Sequence, residues 1–134
     1  MNSTNVTRGK KMLDREYVPF AVEIQVADFY KSLAFYRDVL GFSIVRFNEK
    51  ENDNFATLSF QGEVFMIAEV HGLPSPRGVG VLLRFILPGG LKEYHDKVKA
   101  RGAKIEGPIE TASYGLTRFF VKDPDGYLLK FATR

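Results

Sequence analysis

The sequence predicts an α+β protein made of two tandem β-α-β-β-β modules, and three observations carry that prediction. Residues 20–26 (FAVEIQV) and 81–87 (VLLRFIL) each read as a strand with one wholly apolar row. Each is followed by an amphipathic stretch that ends at a glycine, and the interval from Asp28 to Gly41 equals that from Gly89 to Gly102. After each helix come further short β-prone runs punctuated by turn residues.

In the first strand Val22, Ile24 and Val26 form the apolar row, while Ala21, Glu23 and Gln25 face the other way, because successive side chains alternate. Asp28 stands where an N-cap is wanted. Behind it, DFYKSLAFYRDVLG sets Leu33, Phe35, Tyr36, Val39 and Leu40 along one side of a helix that Gly41 stops. FSIVRF, FATLSF and VFMIAEV then supply three strands, with Gln61-Gly62 turning the last two. GLPSPRGVG is a connector by its proline, serine and glycine content.

The second module repeats the order: strand 81–87, a Pro-Gly-Gly entry, helix LKEYHDKVKAR, the stop Gly102, a short strand near IEG, then LTRFFV and YLLKFAT. Overlaying the equal intervals places Val22, Ile24 and Val26 on Leu83, Phe85 and Leu87. It places Ala21, Glu23 and Gln25 on Leu82, Arg84 and Ile86. The apolar rows should face helices, so the rows carrying Glu23 and Arg84 should face away. Asp123-Pro124-Asp125-Gly126 forms a tight turn into the last strand, where Leu128, Lys130 and Ala132 share a face.

Composition bounds the function. At 134 residues the chain is one domain's worth, expected over 17–134 behind a polar tail at 1–16, with module one about 17–72 and module two about 79–134. Hydrophobic residues at 45% and charged residues at 26% argue against general disorder. The net charge of +3 is spread along the chain without a recognised motif, so no nucleic acid is expected. No apolar run is long enough to span a bilayer, and no membrane partner is expected. With no cysteine there is no disulfide, thiolate metal site or cysteine nucleophile, which suits the cytoplasm expected for this protein. The opening MNSTNVTRGKKMLDRE lacks the apolar stretch of a secretory signal, and Met12 is an alternative start.

Two segments carry a family resemblance. ADFYKSLAFYRDVLGF resembles the first-helix signature of the glyoxalase, bleomycin-resistance and extradiol-dioxygenase group, the vicinal oxygen chelate superfamily, and TRFFVKDPDGYLLKF resembles its closing strand, turn and strand. The likeness spans about residues 18 to 134. It implies curved sheets whose concave faces form a cup, often completed across a dimer, so a homodimer is expected. In metal-dependent members the cup holds a divalent ion on His, Gln or Glu side chains. Counted from Asp28 and the Asp-Pro-Asp-Gly turn, those positions fall on Ala21, Ile67, Leu82 and Lys130.

None of these four is a ligand for a hard cation, and an ammonium adds repulsion. The resemblance is then closest to the metal-free bleomycin-resistance type. It implies a protein that binds a small organic molecule, sequestering a drug or metabolite in the manner of antibiotic resistance, with no cofactor and no catalytic residue. The expected ligand-binding residues are Glu23, Gln25, Phe65, Glu69, Arg84, Tyr114 and Lys130, beside apolar Ile67, Leu82 and Leu128, with Phe47 and Tyr114 at the rim. The bland alternative for the charges is that Glu23, Arg84 and Lys130 pair with one another. The alternative function is a metal-dependent glyoxalase, dioxygenase or lyase-type enzyme whose metal site is displaced toward Glu69 or His71.

Overall fold

The computed structural model describes residues 19–50 and 53–134, so the expected polar tail at 1–16 lies outside the described residues. The chain forms two compact units, one of Phe42–Gly72 with the chain up to Leu33, the other of Ala34–Gly41 with Leu73–Arg134.

The first unit holds a four-stranded sheet in the order β1-β4-β3-β2, built from β1 (Glu23–Val26), β2 (Ser43–Lys50), β3 (Asp53–Phe60) and β4 (Glu63–Glu69). β1 lies parallel to β4, a pairing that requires a crossover connection, while β2, β3 and β4 run antiparallel. The β3–β4 hairpin turns at Gln61-Gly62, both at positive φ (51° and 83°), which is the backbone a two-residue primed turn demands. Ile24, Val26, Ala56, Leu58, Phe65 and Ile67 make one buried face, with Phe29 and Leu33 also buried. Phe42 meets Phe65 edge-on with centroids 5.9 Å apart.

Asp28 caps as expected, its Oδ1 accepting the Lys31 N–H at 3.1 Å. The helix it opens, α1 (Phe29–Ala34), continues as a π-helical turn over Phe35–Val39, in which the Leu40 N–H donates to Phe35 O at 3.0 Å. This second half belongs to the second unit. There Tyr36 Oη donates to Asp123 Oδ2 at 2.7 Å, and Tyr94 Oη donates to Leu40 O at 2.7 Å.

The second sheet has the order β5-β9-β8-β6, with β7 also on β8. Its strands are β5 (Leu82–Ile86), β6 (Lys104–Ile105), β7 (Glu110–Thr111), β8 (Thr117–Lys122) and β9 (Leu128–Thr133). The first strand is again parallel to the last, β5 to β9, so the two sheets repeat one topology. Helix α2 (Leu91–Ala100) lays Tyr94 and His95 on Phe119 and Tyr94 on Phe131. Phe119, Phe131 and Phe85 stack in a row across three strands, with centroids 5.5 and 5.2 Å apart. This is the α+β duplication that the sequence predicts, with β7 as an added short strand.

Candidate functional site

Each sheet has one buried apolar face, on which α2 packs in the second unit, and one face on which no helix of the described residues is seen to pack within its unit. In the first unit the register sets Glu23 beside Met66 and Gln25 beside Ala68, and β3 adds Thr57 and Phe55 to the same face. From β2 come Arg46, opposite Thr57, and Asn48, opposite Phe55, with the Arg46 guanidinium carbon 5.7 Å from the Phe55 ring centre. Glu23 and Gln25 are exposed here, as the alternation of β1 requires.

Three expected residues of this unit lie on the other face. Ile67 stands beside Ile24 and Glu69 beside Val26, so Phe65, Ile67 and Glu69 belong to the row that is buried, not to the face of Glu23. Phe65 and Ile67 are core. The reason is compositional: VFMIAEV is apolar on both parities, so alternation cannot fix its face and only the register does. Phe47 is displaced likewise. A bulge between Ile44 and Arg46 shifts the parity of β2 and sets Phe47 opposite Ala56, on the buried side, where it is still half-exposed.

Glu69 closes that row at the strand end, where its Oε1 accepts from Asn54 Nδ2 at 2.8 Å and its Oε2 lies 3.3 Å from His71 Nε2. Among the described residues no group of three His, Cys, Asp or Glu side chains is placed to hold a metal ion.

In the second unit the expected residues Arg84, Lys130 and Tyr114 do come together. The helix-free face is laid out in three rows across β5, β9 and β8: Leu82, Leu128 and Lys122; then Arg84, Lys130 and Phe120; then Ile86, Ala132 and Arg118. Lys130 is only 8% exposed. Its Nζ donates to Tyr114 Oη at 2.6 Å and sits 5.3 Å from the Tyr114 ring centre. That hydrogen bond, aided by Arg118, holds the exposed Tyr114 phenol below its ordinary pKa. Arg118 lies over Phe120, 5.6 Å from the ring centre, and its Nε is buried with no hydrogen-bond partner.

Sequence reasoning missed Arg118, Phe120 and Lys122. Pairing β8 back from the Asp-Pro-Asp-Gly turn sets Phe120 opposite Lys130, and that count was available from the hairpin alone. Sequence reasoning placed Asp123 in the turn but missed its bond to Tyr36. One oxygen, Oδ1, accepts the N–H groups of Asp125 and Tyr127 at 2.9 and 2.8 Å, while Oδ2 takes the Tyr36 phenol. Burial nonetheless pushes its carboxyl up to about 6, and pushes the Tyr36 phenol well above its usual range.

Residues 19–131 match the sequence pattern of the Glyoxalase/Bleomycin resistance protein/Dioxygenase superfamily. The chain belongs to that superfamily. It is 31% identical over 117 residues, 80% of this chain and 83% of the other, to a protein of Vibrio parahaemolyticus named a probable lactoylglutathione lyase. Among solved structures it resembles an integron cassette protein of V. cholerae (27% identity, TM-score 0.62, covering 87% of this chain and 95% of that one). A glyoxalase family protein of Enterococcus faecalis shares the fold (22% identity, TM-score 0.71, covering 87% and 97%). At the positions where the family resemblance places metal ligands, the second unit has Leu82, which has no donor atom, and Lys130, an ammonium engaged with Tyr114. The first unit offers Ala21 and a buried Ile67, and the neighbours of Ile67 in β4, Met66 and Ala68, bring no oxygen or imidazole to the Glu23 face.

Proposed function

We propose that this member of the superfamily binds a small organic molecule without a metal ion, on the helix-free sheet faces, and acts by holding the ligand rather than by metal chemistry. The observation that carries this is Lys130. It occupies the position at which the family resemblance expects a metal-binding carboxylate, and its buried ammonium is fixed by a 2.6 Å hydrogen bond. A divalent ion needs oxygen or imidazole donors, and no one-residue shift along β4 supplies them on the Glu23 face. What the faces do offer is apolar surface (Leu82, Ile86, Phe120) with a few polar groups among it, the combination that orients and buries a small ligand. A homodimer fits the same reading, since β2 and β5 are sheet edges that a second copy would cover.

A second reading is favoured by one observation. Glu69 and His71 approach within 3.3 Å beside Asn54, the nearest approach to a donor set in the first unit, and the lactoylglutathione lyase name of the Vibrio relative belongs with enzyme chemistry. Metal analysis of the purified protein separates the two. Stoichiometric zinc, nickel, iron or manganese that Glu69→Ala removes would establish the enzyme reading. For the binding reading, thermal-shift and native mass-spectrometric screening of acidic, neutral and basic small molecules should find a ligand whose effect falls with Lys130→Ala or Glu23→Ala. Indifference of every hit to both substitutions would overturn it.

A further inference from the structure

We infer that the helix-free face of the second sheet selects organic anions: molecules with a carboxylate, sulfonate or phosphate head on an apolar body. This rests on the small-molecule reading above and names its ligand class. Arg84 and Lys130 are direct neighbours on the parallel strands β5 and β9 and point to the same side. Their backbones are therefore about 4.8 Å apart, and like charges so placed repel. Lys122 and Arg118 add a cation to the row on either side. Among the described residues of this unit the ion pairs involve Arg77 with Asp125, Lys92 and His95 with Asp96, and Arg37 with Asp38, and none of these engages Arg84, Lys122 or Lys130.

The carboxylates nearest this face stand at its border. Glu110 on β7 pairs in register with Arg118, and the Glu106 N–H donates to Phe120 O at 2.8 Å. Both side chains are exposed, and neither forms an ion pair within the unit. Strands β5, β9 and β8 thus carry four cations and no carboxylate on this face, one cation being almost fully buried. A buried charge without a counter-charge is costly unless something else supplies one.

Two details indicate what supplies it. Lys130 donates to a neutral oxygen, the phenol of Tyr114, a side chain that is 62% exposed and so free to yield its place. Arg118, which also engages the Tyr114 phenol, keeps its Nε buried with no hydrogen-bond partner among the described residues. An anionic oxygen beside Tyr114 would satisfy both. Apolar surface lies beside the cations as well, because half-exposed Leu82 and Ile86 flank Arg84 along β5, and an open cleft of about 420 Å³ at the end of that strand is lined by Arg84, Ile86, Leu116 and Arg134, though not by Lys130 or Tyr114.

The test is calorimetric titration with three compounds of one shape: naphthoate, naphthamide and naphthylmethylamine, bearing an anion, a neutral amide and a cation. Charge-assisted hydrogen bonds predict that naphthoate binds about tenfold to a hundredfold more tightly than naphthamide, with the amine weakest. Lys130→Met, which swaps a buried ammonium for an apolar chain of similar length, should erase that preference, bringing naphthoate down to the affinity of naphthamide or below it. Arg84→Gln should reduce it. Equal affinity for the three compounds, tighter binding of the amine, no saturable naphthoate binding at millimolar concentration, or a preference that survives Lys130→Met would each overturn the inference. A neutral or basic hit in the broad screen would then leave the small-molecule reading standing by itself.

Discussion

Replacing Asp123 by asparagine should stabilise the protein, and increasingly so as the pH rises. In the fold this carboxyl is buried and keeps its proton up to about pH 6, against 3.8 for an ordinary aspartate. A group whose folded pKa lies above its unfolded value favours folding while protonated and loses that contribution as the pH climbs. Carrying 3.8 up to about 6 makes the loss roughly 3 kcal/mol once both states are ionised. Between pH 4.5 and 7.5 about 2 kcal/mol of it is lost, the remainder being gone already at the lower pH. Asparagine imitates the protonated form: its amide oxygen can accept the Asp125 and Tyr127 N–H groups, and its NH2 can donate to the Tyr36 oxygen. Urea unfolding of both proteins at the two pH values reads the effect. The stability gap between Asp123→Asn and the parent should widen by about 2 kcal/mol at pH 7.5, which is roughly 1 M in the urea midpoint. A gap of the same size at both pH values, or one that narrows with rising pH, would refute the reasoning.

Tyr36→Phe removes the one side-chain donor to Asp123 Oδ2 and should cost about 1–3 kcal/mol at pH 7.5 but less at pH 4.5, again by urea unfolding. Gly78→Ala would drive a Cβ into the Tyr127 ring at a backbone φ of +73°, whereas the same change at Gly72 (φ +84°) meets open space. The Gly72 variant should therefore lose only about 1 kcal/mol of conformational strain, and Gly78→Ala at least about 2 kcal/mol more, as seen in thermal midpoints. Arg77 and Asp125 are both buried, with Nε 3.7 Å from Oδ1, so Arg77→Met leaves a buried carboxylate short of its counter-charge. That should cost about 3–5 kcal/mol, and adding Asp125→Asn should restore part of it.

The fold was legible because its signals were redundant. Asp28 and Gly41 bracket one helix, and the second repeats the same interval up to Gly102. The apolar rows of β1 and β5 agree in parity without reference to each other, and one topology then satisfies both halves. What stayed hidden was local. The π-helical turn over Phe35–Val39 follows from no motif in FYRDV, and the parity of β2 was shifted by a bulge that alternation cannot announce. Residues 34–41 were read as part of module one, whereas the Tyr36–Asp123 hydrogen bond ties them into the second compact unit, a long-range contact invisible to periodicity.

The site divided along the same line. Glu23, Gln25, Arg84 and Lys130 were placed correctly on their strands because each stands as a polar residue within an alternating apolar run, where one face is decided by contrast. Phe65 and Glu69 were misplaced because VFMIAEV offers no contrast, and a slip of one residue reverses every side chain. The same contrast explains the fate of Lys130. An ammonium in the middle of an apolar strand must either snorkel to water or find an oxygen, and the central position of β9 between β5 and β8 blocks the first course. Tyr114, carried on the loop before β8, provides the oxygen. Lys130→Met thus separates structure from recognition: an apolar residue should suit the strand equally well, so whatever binding it abolishes is what the buried charge is there to do.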